Sequence, residues 1–306
     1  MCAGRTDLDG VLVADKQAGY TSHDVVELAR RRLRIKKVGH LGALDPIATG
    51  CLPLCVGRAT RLAAWLRMGV KVYKGVMKLG LSTDTYDITG KLDHPATQPD
   101  VPRSKLIEVA RDMTGELDQI PPIYSAKKIK GVPLYKLARQ GRPLKPEPVR
   151  VKVERFDILD VTDQEVSFEV ACGPGTYVRS LVHDLGSTLG CGAVLVNLRR
   201  IRSGAFSEDQ AVRLQTEHRD ALERAILPLS DLLPGMRAFG VTEKQVWFVQ
   251  NGQSLSLSPG FTAQEGEEVR LVSDLGDLLG IGLIRGESGE SCLRVYPKVV
   301  LKCREK

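Results

Sequence analysis

The segment from residue 37 to residue 61 holds the residues whose types and spacing best suit chemistry. It places one acid, Asp45, and one histidine, His40, among glycines at positions 39, 42, 50 and 57. Glycines let a ligand approach the backbone closely, and an acid among small residues is easily desolvated by a substrate. A plainer interpretation is that Asp45 caps a helix that begins at Pro46, because Asp-Pro is typical of helix starts. The spacing alone leaves both interpretations open.

A second candidate lies in the segment CGPGTYVRSLVHDLG, which begins at residue 172. Gly173 and Gly175 predict a turn, Thr176 predicts a helix N-cap, and the apolar residues that follow have helical spacing. Arg179 then falls in the first turn of the helix, where the helix dipole disfavours a cation. We therefore expect an acidic partner or a phosphate beside Arg179, with a solvent-exposed arginine as the alternative.

Several kinds of chemistry lack their usual residues in this sequence. There is no P-loop, and the GxG motif at Gly173 and Gly175 lacks the third glycine and the later acid of a dinucleotide site. The seven cysteines form no CxxC pair, and the five histidines form no HExxH motif. We expect no metal, no cofactor and no disulfide framework. No apolar run approaches the ~18 residues of a membrane span, and no signal peptide is evident, which predicts a cytoplasmic protein.

The positive charge is concentrated in the first two thirds of the chain. Lys and Arg number 44 against 37 Asp and Glu, and the sequence pI is about 9.0. Residues 125–155 alone hold ten basic and two acidic residues, and residues 29–37 hold six basic ones, whereas residues 241–290 are acidic. Such clustering is typical of nucleic-acid binding, although an ordinary solvated surface would also explain it.

The apolar patterns predict a mixed α and β chain of two domains. A length of 306 residues suits one large and one small domain. From about residue 237 the chain is acidic, Gly-rich and made of short strand-like runs, which predicts a small β domain over 237–306 after a larger one over 1–236. Other expected elements are strands over 11–16, 71–79, 149–159 and 164–172, a helix capped by Thr21, a helix over 103–115 and an extended basic loop over 127–148.

The segment GHLGALDPIATG, residues 39–50, resembles the signature GHxG(T/A)LDPxATG of the bacterial TruB family of tRNA pseudouridine synthases. Ala43 stands where many members have threonine, a tolerated variant. Three further segments resemble family motifs in the same order: VLVADKQAGYTSHDVV, KVYKGVMKLGLSTDTYDITG and GTYVRSLVHDLG. The resemblance runs from about residue 12 to residue 233, and the acidic tail is similar to the family's small PUA-type RNA-binding domain.

The resemblance implies both a fold and a reaction. The fold would be the α/β (mixed α+β) catalytic fold of pseudouridine synthases, with a mixed, largely antiparallel central sheet and a small β-rich PUA-like domain after it. The reaction would isomerise the uridine at position 55, in the T-arm loop of tRNA, by breaking its N1 glycosidic bond and rejoining uracil through C5. Such an isomerisation needs no cofactor. We expect a monomer that binds tRNA without an obligate protein partner.

The resemblance also assigns a reactive centre. Asp45 matches the family's catalytic aspartate, whose carboxylate forms a covalent adduct at the ribose C1′, through a glycal, or at uracil C6. Arg179 matches the arginine that pairs with this aspartate. Tyr73 matches the tyrosine that stacks on the target base and is a candidate for proton transfer, and Leu198 matches an apolar contact on the pocket wall.

The resemblance implies that three further residues bind or orient the substrate. Tyr177 would lie in the same pocket. Lys16 would have a structural or RNA-orienting role, and His40 would take up the room that the uridine vacates when it is flipped out. The target must leave its stack, at a cost of a few kcal/mol, before Asp45 can reach it.

Two other functions stay open. One is a guide-RNA-dependent pseudouridine synthase that works inside a ribonucleoprotein, which shares the aspartate motif. The other is a non-catalytic protein that binds or folds tRNA. The presence of Asp45, Tyr73 and Arg179 together disfavours the second, and the acidic tail disfavours the first.

Overall fold

The computed structural model of the protein describes residues 8–125, 127–129, 131–141, 144, 146–286 and 293–301. The strands in these residues are β1 (Gly10–Lys16), β2 (Val38–His40), β3 (Ala48–Val56), β4 (Lys71–Leu79), β5 (Gly115–Gln119), β6 (Lys128–Ile129), β7 (Val132–Pro133), β8 (Val149–Thr162), β9 (Glu165–Cys172), β10 (Ala193–Ser203), β11 (Phe206–Ser207), β12 (Leu227–Pro228), β13 (Ala238–Val241), β14 (Leu255–Ser256), β15 (Glu268–Ser273), β16 (Leu278–Gly286) and β17 (Leu293–Val300).

The helices pack on these strands or connect them. They are α1 (Ser22–Leu33), α2 (Ala63–Leu66), α3 (Arg103–Asp112), α4 (Leu134–Arg139), α5 (Val178–Thr188), α6 (Arg219–Arg224) and α7 (Glu243–Gln250), with short 3₁₀ helices at Gly57–Leu62, Glu208–Gln210 and Leu229–Asp231. No helix among the described residues has both the length and the apolar character needed to cross a membrane.

A ten-stranded sheet takes its strands from residues 10–228. Its strand order is β12-β1-β3-β10-β4-β9-β8-β5, with β2 beside β3 and β11 beside β10. β3 and β10 run parallel, and the other described pairs in this sheet are antiparallel. The predicted mixed, largely antiparallel sheet is confirmed.

A five-stranded sheet follows, in the order β13-β15-β16-β17-β14. β13 and β15 are parallel, and the remaining pairs are antiparallel. This sheet has a core of its own around Phe239, Val269 and Val295. The strand-like runs of the acidic part of the sequence therefore do form a β-rich unit.

The large sheet is buried on both faces near its centre. In β1, Leu12 and Ala14 join a core that includes α1, α3 and α5, whereas Val11 and Val13 join a second core on the opposite face. That second core also takes in Leu278, Ile281 and Leu301 from the region of the small sheet. The two sheets therefore share apolar surface.

Most of the local predictions are correct. Thr21 forms the predicted capping box with Asp24 at the start of α1. The strands predicted over 11–16, 71–79, 149–159 and 164–172 are present as β1, β4, β8 and β9, and Asp163 takes a positive φ of 53° in the turn between β8 and β9.

Three local predictions are wrong, and one of the two interpretations of Asp45 is excluded. Asp45 does not cap a helix, because its carbonyl accepts from the Ala48 N–H at 3.0 Å in a tight turn that leads into the central strand β3. Tyr177, not Thr176, is the N-cap of α5, since the Thr176 hydroxyl donates to the Gly173 carbonyl at 3.0 Å and closes the turn. The helix predicted to reach residue 115 ends at Asp112. Instead of an extended loop, residues 127–148 hold β6, β7 and α4, with residues 130, 142, 143 and 145 outside the described part.

Candidate active site

A cleft of about 290 Å³ opens between the loop that joins β2 to β3 and the turn that precedes α5. This volume lies near the lower end of the ~300–1,000 Å³ range of small-ligand pockets. The residues that line it are Leu41, Gly42, Ala43, Leu44, Asp45, Arg67, Lys71, Tyr73, Pro174, Gly175, Thr176, Tyr177, Val178 and Leu198. Asp45 is the one carboxylate among these lining residues.

The loop that carries Asp45 is held in place by the buried side chains of Ser22 and Lys16. The Ser22 hydroxyl accepts from the Leu44 N–H at 2.8 Å and lies 3.2 Å from the Leu44 carbonyl. The Lys16 ammonium donates to the carbonyls of Ala48 at 2.5 Å and Pro46 at 3.3 Å. These contacts lie on both sides of Asp45 in the chain, so they restrict where its carboxylate can point.

Arg200 is a second buried anchor of the same loop, and the sequence analysis missed it. Its guanidinium is fully buried and donates to the carbonyls of Cys51 at 2.8 Å, Gly42 at 3.1 Å and Ala43 at 3.3 Å. It also hydrogen-bonds the side chain of Tyr73, its cross-strand neighbour on β4. Arg200 therefore links Tyr73, which lines the cleft, to the loop that carries Asp45.

Arg179 has the acidic partner that its place in the first turn of α5 predicts. Its Nε donates to Asp45 Oδ2 at 2.8 Å and its Nη2 to Asp45 Oδ1 at 2.9 Å, a bidentate pair. The Arg179 side chain is 4% exposed, whereas that of Asp45 is 35% exposed toward the cleft. Bidentate pairing fixes the plane of a carboxylate as well as neutralising it. The carboxylate is thus held in one orientation and still reachable by a ligand.

A second acid, Asp87, lies behind Arg179 and was also missed from the sequence. Its Oδ2 lies 3.4 Å from Arg179 Nη1, and its Oδ1 accepts from the Thr89 N–H at 3.0 Å and the Thr85 hydroxyl at 2.9 Å. The Asp87 side chain is 7% exposed. Arg179 Nη1 and Nη2 also donate to the carbonyls of Thr85 and Tyr124. All the guanidinium nitrogens of Arg179 are therefore engaged.

The other walls of the cleft are aromatic and apolar. Tyr73 and Leu198 are each about 95% buried, and burial raises the pKa of the Tyr73 hydroxyl. Tyr177 is pinned at its backbone by Gln119, which accepts from the Tyr177 N–H at 2.8 Å and donates to its carbonyl at 3.0 Å. Burial raises the pKa of Tyr177 as well. Both tyrosines are neutral at pH 7 and offer flat surfaces to a planar ligand.

Two of the expected substrate-binding residues lie outside the cleft lining. Lys16 is 1% exposed and its ammonium bonds three backbone carbonyls, so the structure favours the structural role over contact with RNA. His40 lies on β2, where burial lowers the pKa of its imidazole. In the described part of the chain, no group of three or more His, Cys, Asp or Glu could hold a metal ion.

We expect the Lys16→Met substitution to lower the free energy of unfolding at pH 7 by about 1–3 kcal/mol, because it leaves the carbonyls of Pro46 and Ala48 without their donor. Burial lowers the pKa of Lys16 to about 8, a shift that the nearby Asp45 carboxylate only partly offsets. An unfolded lysine keeps its proton up to about pH 10.5, so between these pH values the unfolded state binds more protons and stability rises with pH.

The wild type should therefore gain stability over Lys16→Met as the pH rises from 8 to 10, by at most about 1.4 kcal/mol per pH unit. Denaturant unfolding at several pH values measures this difference. Lys74→Met is the matched control, because the Lys74 side chain is 56% exposed on β4. A gap between wild type and Lys16→Met that stays flat or narrows over this range would contradict the prediction.

Comparison with known proteins shows the family to which this chain is similar. The family model described as TruB family pseudouridylate synthase (N terminal domain) matches residues 30–178, and that of the tRNA pseudouridylate synthase B C-terminal domain matches residues 179–233. The tRNA pseudouridine synthase B of Solibacter usitatus is 41% identical over 279 residues, which cover 90% of this chain and 95% of the relative. The chain belongs to the TruB family. The resemblance inferred from the sequence motifs is confirmed.

Another TruB relative and two solved structures are also similar to this chain. The tRNA pseudouridine synthase B of Thermotoga maritima is 39% identical and covers 94% of each chain. A chain of an H/ACA RNP bound to a substrate RNA containing 2′-deoxyuridine superposes with a TM-score of 0.71 at 26% identity, covering 98% of this chain and 87% of that one. A chain of a Cbf5-Nop10-Gar1 complex gives a TM-score of 0.71 at 27% identity, covering 97% and 86%.

The two TruB family matches meet inside the candidate active site. Asp45 and Tyr73 lie in the first match, and Arg179 is the first residue of the second. The ion pair between Asp45 and Arg179 therefore joins the two matched regions across the cleft.

Proposed function

We propose that this protein converts the uridine at position 55 of the tRNA T-arm loop to pseudouridine, with Asp45 as the covalent catalyst. The observation that carries the proposal is the Asp45 carboxylate, held bidentately by Arg179 and facing a cleft of base-binding size. Membership of the TruB family and relatives named tRNA pseudouridine synthase B support the reaction and the class of RNA.

The reaction needs a base that has left its stack. A uridine in a folded loop must flip into the cleft, and aromatic or apolar walls offset part of the unstacking cost. Tyr73, Tyr177 and Leu198 supply such walls beside Asp45. The carboxylate then attacks the nucleotide, at C1′ or at uracil C6, while the N1–C1′ bond breaks. The uracil turns, its C5 bonds to C1′, and the bond between Asp45 and the nucleotide breaks to free the carboxylate. The C5 proton leaves to solvent and N1 takes up a proton, so that product and substrate are isomers.

The basic segments supply contacts to the RNA backbone in this proposal. The positive charge of residues 29–37 and 125–155 suits phosphate binding, since each neutralised phosphate releases condensed counterions. We extend the proposal to residues 237–306 as a PUA-like domain that contacts the same RNA, and to a protein that acts as a monomer without another subunit.

One observation favours a second function. The solved structures that superpose with TM-scores of 0.71 are chains of H/ACA ribonucleoprotein or Cbf5 complexes, so a synthase that works within a ribonucleoprotein has the same fold. The curated relatives at 34–44% identity are instead named tRNA pseudouridine synthase B. We therefore give the stand-alone reaction on tRNA first place.

Release of tritium from an unmodified tRNA transcript labelled at uracil C5 tests the proposal. The wild-type chain alone, with no guide RNA and no other protein, should release one equivalent of label from position 55. A transcript with cytidine at position 55 is the matched control and should release none. Equal release from both transcripts would place the reaction elsewhere, and tRNA binding without release would favour the ribonucleoprotein-dependent function.

A further inference from the structure

Lys71 is a buried cation in the cleft to which the reaction described above gives no task. It is the first residue of β4 and lies two residues before Tyr73, so both side chains are on the same face of the strand. Both line the cleft, and Lys71 is only 8% exposed. Its ammonium makes no hydrogen bond or ion pair with any residue that the structure describes.

The groups around Lys71 do not compensate its charge. Burial and repulsion by Arg200 lower the pKa of its ammonium. The nearby Cys172 thiol is neutral at pH 7, because burial raises its pKa to about 11. The Asp45 carboxylate is already bound on both oxygens by Arg179. A buried ammonium without a partner is costly, so an anion entering the cleft would gain much of its binding energy here.

The loop above Lys71 approaches its side chain at Gly42. Gly42 has no side chain, and a Cβ at this position would lie 3.5 Å from Lys71 Cε and 3.8 Å from Arg200 Nη1. The Arg200 guanidinium is committed to the carbonyls of Cys51, Gly42 and Ala43, so it does not compete for the ligand. Arg67, which is exposed, lines the same cleft and adds a second positive charge.

We propose that Lys71 binds a backbone phosphate next to the flipped uridine, so that the cleft holds the nucleotide at the base and at the phosphate. This inference rests on the proposed function for the identity of the substrate. A uracil carbonyl could accept a hydrogen bond from Lys71, but it carries no charge to balance a buried ammonium. Lysine is a common phosphate ligand because it acts as a compact point charge.

The test is equilibrium binding of a T-arm stem-loop whose phosphate on either side of uridine 55 is replaced, one at a time, by a neutral methylphosphonate. Each methylphosphonate RNA is compared with a reference RNA that carries the same 2′-deoxyribose and a normal phosphate at that position. Lys71→Met should raise the Kd for the reference RNA by about tenfold. One of the two methylphosphonates should weaken RNA binding by the wild type by a similar factor. The same methylphosphonate should not weaken RNA binding by Lys71→Met any further. The slope of log Kd against log salt should fall by ~0.7 in Lys71→Met, as expected for one lost phosphate contact.

Two variants complete the design. Lys71→Arg keeps the charge, so the same methylphosphonate should still weaken its RNA binding. A merely structural role of Lys71 would not require this result. Lys74→Met removes an exposed lysine from the same strand, and any loss it causes should add to that of the methylphosphonate.

The inference would be overturned if the loss of affinity caused by Lys71→Met and the loss caused by the methylphosphonate were additive at both flanking phosphates. Coupling of Lys71→Met to 2-thiouridine or 4-thiouridine at position 55, without coupling to either phosphate, would overturn it in favour of a carbonyl contact. Tritium release by a wild type that lacks the coupling would refute the Lys71 contact alone. Coupling without tritium release would support the contact and refute the proposed reaction.

Discussion

Asp45→Asn should abolish pseudouridine formation while leaving the fold and tRNA binding nearly unchanged. Asparagine has almost the same shape as aspartate, and its amide oxygen can still accept one of the two hydrogen bonds from Arg179. An amide is a far poorer nucleophile than a carboxylate, so the covalent step should be lost. We expect kcat to fall by about 10⁴-fold or more, the scale seen when a covalent nucleophile is removed.

Single-turnover tritium release measures the loss, and filter binding of the same transcript measures affinity. Because Asp45 is one of several groups that meet the RNA, the Kd should change by no more than about threefold. Asp112→Asn is a matched control, since Asp112 is an exposed carboxylate at the end of α3, and it should leave both quantities unchanged. Activity retained by Asp45→Asn at even one tenth of the wild-type rate would rule out covalent catalysis by this carboxylate.

The parts of the fold that the sequence predicted are those that depend on neighbours close in the chain. The capping box of α1 joins Thr21 to Asp24, and the hairpin of β8 and β9 turns at Asp163. The position of Arg179 gave the clearest success in the site. A cation in the first turn of a helix is unfavourable unless an acid compensates it, and that acid, Asp45, is in contact.

The choice between the two interpretations of Asp45 depends on burial set by distant segments. Asp45-Pro46 suits either a helix start or a turn, and the following run ATGCLPLCV decides for the turn because it forms a strand between β1 and β10. Such a central strand is buried on both faces and shows no alternation of apolar and polar residues. The sequence pattern alone could not distinguish it from a buried helix.

The supporting residues of the site were missed for a related reason. Asp87 meets Arg179 across 92 positions of the chain, and Arg200 reaches the Gly42 carbonyl across 158. A signal for Asp87 was present in the Thr-rich turn around it, where Thr85 and Thr89 bond its carboxylate. That turn predicts a fixed acid, but only the fold shows which cation it faces. Lys71 carries no such local signal.

Substitution of Arg179 should have the second largest effect, and two variants separate its roles. Arg179→Lys keeps the positive charge but cannot bond both Asp45 oxygens and the carbonyls of Thr85 and Tyr124 together. The Asp45 carboxylate would then be free to turn. A misplacement of about 1 Å at a reacting group costs about 10²-fold, so kcat should fall by that factor with the fold intact.

Arg179→Met should lose stability as well as activity, because it leaves the buried carboxylate of Asp87 without its cation. Removing one partner of a buried ion pair costs about 3–5 kcal/mol. Adding Asp87→Asn removes the uncompensated charge, so the double variant should regain part of that stability. Its kcat should stay as low as that of Arg179→Met, because Asp45 still lacks the group that orients it. Urea unfolding and tritium release on the four combinations give both quantities. Recovery of activity together with stability in the double variant would show that Arg179 acts only in folding, and the orientation of Asp45 would then need another source.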